Sequence, residues 1–257
     1  MKNLTISVLT GVGLAATMAA SAVAGPVPGD KIDLELKNIG PALPVNINYV
    51  FGERASSGNR SGGSFGYAGY VNWYGGIRTF CVQIKEGIEP NTMIEYTYTE
   101  LENTPEGTTE PGQMGQMRAT MIRDLYSRWW GQVNSVGTYD TSGSDLCAAF
   151  QAMIWEITHE TLDDTGTGDP GSTQVDALSL DLGAMQLNGM TTAAADLFSQ
   201  MKMSLGGSNH DNWKDALGDN LWGLTNPIYQ DQIIVVPGAA AGFMGLGVVA
   251  ARRRRRR

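Results

Sequence analysis

The chain is poor in the residues that most enzyme sites require. Among its 257 residues are only two histidines and two cysteines, and charged residues make up 17%. His159 begins the sequence His-Glu-Thr-Leu-Asp, which lacks the spacing of a zinc protease, and His210 is the second histidine. The chain also contains no Ser-His-Asp order, phosphate-binding glycine loop or nucleotide fingerprint. The sequence therefore predicts no catalytic residue, no metal site and no cofactor.

Basic residues are scarce outside the two ends of the chain. When Lys2 and the six terminal arginines are set aside, 11 basic residues stand against 26 acidic ones, a formal charge of −15. Such a charge repels nucleic acids and anionic surfaces, so neither is expected as a partner. Glycine is abundant, with 33 residues. This composition is more typical of an extracellular strand-and-loop protein than of a cytosolic enzyme.

Residues 1–24 have the pattern of a secretory signal peptide. A lysine near the start precedes an apolar run, and Ala22-Val23-Ala24 forms a small-x-small cleavage site before Gly25. We therefore expect signal peptidase to cleave between Ala24 and Gly25 and the protein to be secreted. A permanent N-terminal membrane anchor is the alternative, but the run is short and rich in glycine and alanine.

Residues 233–257 form a second targeting pattern. A run of 19 uncharged residues, nearly long enough to span a membrane, precedes six arginines that would stay cytoplasmic. With the sequence Val236-Pro237-Gly238 at its start, this tail resembles the PEP-CTERM sorting signal. The resemblance implies a transient C-terminal membrane span, cleavage near Pro237 and Gly238 by an exosortase-type membrane protease, and delivery to the cell surface or extracellular matrix. A permanent anchor or an added arginine tag is the alternative.

The remaining residues, 25–232, are enough for one domain with a core of its own. Apolar and polar residues alternate, as in strands, over 32–36, 45–51, 70–74, 78–84, 94–101, 175–182 and 229–236. Helical spacing occurs over 117–129, 144–161 and 191–205, and a glycine- and serine-rich loop is expected over 52–69. The sequence predicts a single α+β domain, an antiparallel sheet or sandwich layer with about three helices packed on it.

The helix predicted over Ser144–Thr161 carries two unusual residues. Cys147 and Gln151 lie one turn apart, and Gln151 interrupts an otherwise apolar block. A buried amide requires hydrogen-bond partners or a chemical role. The only other cysteine, Cys81, lies in the strand-like sequence TFCVQI. The partner of Cys81 is therefore the central question that the sequence raises.

The sequences FCV around Cys81 and FQAMIW around Gln151 resemble the two motifs of the Cys–Gln thioester domains of bacterial surface proteins. A predicted helix separates the two motifs, as in that family. The resemblance implies that the Cys81 thiolate attacks the Gln151 carboxamide and expels ammonia, and that the thioester later acylates an amine or hydroxyl on a host or neighbouring surface. It implies a binding or adhesive module. We expect the strand to pack against the helix, with the large apolar residues of both motifs buried.

A disulfide and a pair of free thiols are the alternatives to a thioester at the two cysteines. An even number of cysteines in a secreted protein is typical of a disulfide, here Cys81–Cys147, which would stabilise the fold by about 2–4 kcal/mol. Gln151 would then be a structural amide, and the protein a disulfide-stapled envelope component without covalent chemistry. Two free buried thiols are the third state. A secreted hydrolase would need a pair of facing carboxylates, and the sequence nominates none.

The tail pattern predicts that the mature protein lacks Arg252–Arg257. A C-terminal peptide map of protein isolated from its native cell should end near Pro237, because the exosortase would cleave close to that residue. Extracellular protein that still carries the terminal arginines would contradict the sorting prediction.

Overall fold

The computed structural model describes residues 25–49, 62–105, 112–162, 170–207 and 212–236. These residues all belong to one compact unit, 25–238. The predicted signal peptide, 1–24, and the part of the predicted tail from Pro237 onward lie outside them. Within the described ranges, no helix is both long enough and apolar enough to cross a membrane.

The described residues form an α+β fold, as the sequence predicts. The strands are β1 (Lys31–Tyr49), β2 (Gly62–Trp73), β3 (Arg78–Cys81), β4 (Met93–Thr99), β5 (Met185–Asn188), β6 (Leu221–Thr225) and β7 (Gln232–Val235). The α-helices are α1 (Gly115–Ser135), α2 (Ser144–His159), α3 (Ser172–Ala177) and α4 (Thr192–Ser204). Thr191 caps α4 by accepting a hydrogen bond from the Ala194 N–H, as a threonine before an apolar stripe favours.

The sheet is antiparallel in every pairing between these strands. Strand β1 pairs with β4 over Lys31–Glu35, and its later residues pair with both β2 and β5. From β2 the pairings continue through β3, β7 and β6 to β4, which leads back to β1. The long β1, with a register shift between Ile39 and Ala42, therefore closes a circuit of six strands that β5 extends.

Helix α2 lies in the core. Every residue from Cys147 to Thr158 is buried, and the helix contacts β1, β2 and β3 as well as α1 and α4. A helix that is apolar almost all round must be covered on all sides, which accounts for this position. The Phe150 ring centroid lies 4.9 Å from those of both Phe80 and Tyr126. The large apolar residues of the two motifs are thus buried, as expected from the sequence.

Two strand predictions differ from the structure at β1 and β2. The predicted strand 32–36 and the described part of the predicted strand 45–51, residues 45–49, belong to the single strand β1. Residues 62–69, predicted as loop, belong to β2 and pair with β1 over Ala42–Tyr49. Glycine and serine have little intrinsic preference for strands, so the pairing partner decides the conformation of this segment.

Three further boundaries also differ. Residues 175–182, predicted as a strand, contain the end of α3 and the turns after it, and the strand β5 follows later. The Gln174 side chain accepts a hydrogen bond from the Gly171 N–H, which favours the helix start. The predicted strand 78–84 ends at Cys81. Strand β7 contains residues 233–235, which the sequence pattern assigns to the tail. These residues therefore belong to the sheet.

A fully buried carboxyl group lies on α2. Glu156 is 0% exposed; its Oε2 accepts a hydrogen bond from the Ser179 N–H at 3.1 Å, and its Oε1 is buried without a partner. Burial raises the pKa of Glu156 well above its ordinary value, and the Glu160 carboxylate raises it further. The Ser179 hydrogen bond and Lys202 oppose this shift. The folded protein therefore favours the protonated form.

This pKa shift predicts that Glu156→Gln stabilises the protein at neutral pH. The unfolded chain releases the Glu156 proton near pH 4.5, its ordinary pKa, whereas the folded chain retains it to higher pH. The contribution of this group to stability is therefore fully present below pH 4.5 and falls as the pH rises through the folded-state pKa. Denaturant unfolding at several pH values should show that the free energy of unfolding falls less with rising pH in Glu156→Gln than in the wild type. Asp33→Asn, a similar change at an exposed position, should leave this pH dependence of stability unchanged. Equal pH dependences for Glu156→Gln and the wild type would contradict the account.

Candidate functional site

The side chain of Gln151 and the backbone of Cys81 form the centre of the site. Gln151 Oε1 accepts a hydrogen bond from the Cys81 N–H at 2.9 Å, and Gln151 Nε2 donates to the Cys81 carbonyl oxygen at 2.8 Å. The glutamine is fully buried and Cys81 is 7% exposed. The structure therefore brings together the two residues that the sequence motifs singled out, and it satisfies the buried amide.

The end of strand β3 creates this arrangement. Cys81 is the last residue of β3, and beyond it the Val82 N–H donates to the Asp231 carbonyl oxygen at 2.9 Å. Both backbone polar groups of Cys81 are buried and need partners. Helix α2 carries Gln151 to this position and also Thr158, whose Oγ1 donates to the Val82 carbonyl oxygen at 3.3 Å. The helix thus holds the backbone where β3 leaves the sheet.

A second glutamine contacts the Cys81 sulfur. Cys81 pairs with Gln232 of β7, and residues opposite each other in an antiparallel pair present their side chains on the same face. Gln232 Nε2 lies 3.6 Å from Cys81 Sγ, and Thr79 Oγ1 donates to Gln232 Oε1 at 2.9 Å. Trp73 Nε1 donates to Thr79 Oγ1 at 2.8 Å, which fixes the orientation of this network. The Gln232 amide nitrogen therefore faces the sulfur and also donates to the Gln230 carbonyl oxygen at 3.0 Å.

The Cys81 thiol is protonated at neutral pH. Burial raises its pKa to about 12, although the hydrogen bond from Gln232 opposes the rise. A buried thiol with such a pKa is a poor nucleophile toward molecules in solution. A reaction of this sulfur with a neighbouring group must therefore include the transfer of its own proton.

Cys147 is the second buried thiol, and the alternative disulfide with Cys81 is not formed in the structure. Burial raises the pKa of Cys147 to about 12, and the nearby Arg78 guanidinium opposes this shift. Arg78 begins β3 and Cys81 ends it. Because Gln151 meets Cys81, Cys147 lies one turn earlier on α2, toward the start of that strand. Both thiols are free and buried in the structure, and the bond that Cys81 forms stays a prediction.

A cavity of about 270 Å³ reaches the cysteine. Cys81, Trp155 and Gln230 line it, and the segment 84–88 forms another part of its wall. Two aromatic rings of β2 also line the cavity: those of Phe65 and Tyr67, which are 62% and 52% exposed and have centroids 5.5 Å apart. The buried site is therefore accessible through a partly apolar opening.

Sequence reasoning missed the contribution of Gln232. Gln232 is a polar residue just before the apolar run of the last strand, and nothing local connects it with Cys81. His159, the helix-end histidine, contacts the Trp155 carbonyl oxygen through Nδ1 at 3.0 Å and is half-buried. Among the residues that the structure describes, no three His, Cys, Asp or Glu side chains come together in a group that would hold a metal ion.

Comparison with protein-family models, with curated proteins and with solved structures found no match for the chain. The function must therefore be argued from the site itself.

The contact between Gln151 and Cys81 predicts a loss of stability in Gln151→Leu. The variant leaves the Cys81 N–H and carbonyl oxygen buried without partners, and each unsatisfied group costs about 1–3 kcal/mol. Urea unfolding should reveal this loss. Gln200→Leu, the same change at an exposed position of α4, should leave the midpoint nearly unchanged; equal midpoints for both variants would contradict the role given to Gln151.

Proposed function

We propose that the protein is a secreted surface or matrix component that binds covalently through a thioester between Cys81 and Gln151. The observation that supports this function is the double hydrogen bond between the Gln151 carboxamide and the Cys81 backbone. It holds the carboxamide against the backbone of a cysteine from a distant part of the chain, inside one buried site. The resemblance of FCV and FQAMIW to the thioester-domain motifs supports the same pairing.

The site offers what the bond-forming step requires. The Cys81 N–H donates to Gln151 Oε1 at 2.9 Å, a distance at which a donor stabilises negative charge that develops on a carbonyl oxygen. Cys81 Sγ would attack the Gln151 Cδ, and the Cδ–Nε2 bond would break. The thiol proton would leave with the amide nitrogen as ammonia. The products are a thioester and ammonia, and no oxidant or further reactant is needed.

The cavity beside Cys81 suits the second step. An amine or hydroxyl group on another surface could approach Cys81 through the cavity that β2 and the segment 84–88 line. Its attack would form an amide or ester with the Gln151 acyl group and return the sulfur to Cys81 as a thiol. The burial of Gln151 and Cys81 would limit the access of water to the thioester and so slow its hydrolysis.

The targeting patterns agree with such a role. The predicted signal peptide and PEP-CTERM-like tail would deliver the protein to the cell surface or the extracellular matrix, where partner surfaces are present. Signal peptidase and an exosortase-type protease would be the processing partners. The bound ligand would be a group on a host or neighbouring surface.

A structural module without covalent chemistry is the second candidate. One observation favours it: both ends of the Gln151 amide already have backbone partners, so its burial needs no chemical explanation. In that case, Gln151 would serve only to hold the end of β3 against α2 through its two hydrogen bonds. The two candidates differ in the mass of the mature protein.

The proposed function predicts that the intact mature protein is lighter than its sequence by one ammonia molecule. Treatment with methylamine should add one methylamine and expose the Cys81 thiol to alkylation. Intact mass spectrometry before and after treatment measures both changes. A disulfide would instead remove two hydrogens and would not react with methylamine.

Three variants make this experiment specific. Cys81→Ala and Gln151→Ala should both restore the full mass and abolish the methylamine adduct. Cys147→Ala, the matched control, should keep both, because the second cysteine takes no part in the bond. A wild-type protein of full mass would refute the thioester and leave the structural module as the function.

A further inference from the structure

Two residues that line the cavity beside Cys81 each have a polar atom without a hydrogen-bond partner. Glu86 Oε2 and Trp155 Nε1 are buried and make no hydrogen bond, and both residues line the same cavity as Cys81. Buried polar atoms without partners are rare in folded proteins and call for an explanation. A molecule that enters the cavity meets the Glu86 and Trp155 side chains among its lining residues.

We propose that the cavity takes a primary alkylammonium group and that Glu86 binds this group and accepts its proton. This inference rests on the proposed thioester, because it assigns the nucleophile that the thioester accepts.

The Glu86 carboxylate and the apolar wall of the cavity favour this class of ligand, although Lys85 also lines the cavity. An alkylammonium is positively charged, and a partly buried carboxylate attracts such a group more strongly than one in water. Ile39, Ile84 and Ile88 also line the cavity, and they would contact the alkyl stem. A hydroxyl group carries no charge and gains less from Glu86. The negative charge of the body, −15 with both ends set aside, favours the approach of cations as well.

Proton transfer explains why a carboxylate belongs here. An ammonium has no lone pair and cannot attack a carbonyl carbon, so it must first lose a proton. Burial raises the pKa of Glu86, which makes its carboxylate a better proton acceptor, although the neighbouring Lys85 opposes the shift. The amine nitrogen then attacks the Gln151 acyl carbon, the C–S bond breaks, and the sulfur takes up a proton as the Cys81 thiol. The products are an amide and a thiol.

The test compares a charged and an uncharged nucleophile on Glu86→Gln. Methylamine is an ammonium at neutral pH, whereas hydroxylamine is uncharged there. The variant should react with methylamine more slowly by on the order of 10²-fold, the usual effect of losing a proton acceptor. Its rate with hydroxylamine should stay close to that of the wild type. Rates are measured by intact mass as the fraction of existing thioester consumed, so incomplete thioester formation does not affect them.

Glu89→Gln is the matched control. It makes the same change three residues along the chain, at an exposed position outside the cavity lining, and should react with both nucleophiles at wild-type rates. Glu86→Asp, which keeps the carboxylate, should recover part of the methylamine rate. If Glu86→Gln slows the reactions with both nucleophiles equally, or slows neither, the inference is wrong, although the thioester itself is not refuted. A wild-type protein of full mass would instead refute the proposed function itself.

Discussion

Two hydrogen bonds between the Gln151 amide and the Cys81 backbone determine how the central helix meets the sheet. Helix α2 is buried along nearly its whole length, and apolar packing alone would allow it to slide or rotate against β3. A two-point polar contact has one geometry, and a misplaced helix would leave the amide and the Cys81 backbone buried without partners. This contact therefore gives the apolar core its register, and it also positions the groups of the candidate site.

The polar groups around Cys81 come from three parts of the chain. Strand β3 supplies the cysteine, helix α2 supplies Gln151, and β7 supplies Gln232. These groups are buried in the core, and a cavity lined by Cys81 leads to the surface. Such an arrangement suits a reactive bond that must survive until a partner enters. The same polar contacts also stabilise a purely structural core, so chemistry rather than stability distinguishes the two functions.

The sequence predicted the elements whose pattern is local. The periodic apolar residues and polar start of 144–161 predicted α2 to within two residues of its observed end, and alternation predicted β4. The two motifs also predicted the contact of Cys81 with Gln151. The β2 segment 62–69 was missed because its strand conformation depends on pairing with β1, and Gln232 was missed because its contact with Cys81 depends on the pairing of β3 with β7. Long-range pairings leave little trace in a local pattern.

The most direct test of the Cys81–Gln151 bond is a peptide map of the native protein after tryptic digestion. Cleavage after Arg78 and Lys85 gives the peptide 79–85, and the next peptide of interest is 129–202, which contains both Gln151 and Cys147. The account predicts one linked species that lacks an ammonia, resists a phosphine reductant and is separated by hydroxylamine, with a hydroxamate at Gln151. Two separate unmodified peptides, or a link that the phosphine breaks, would contradict it.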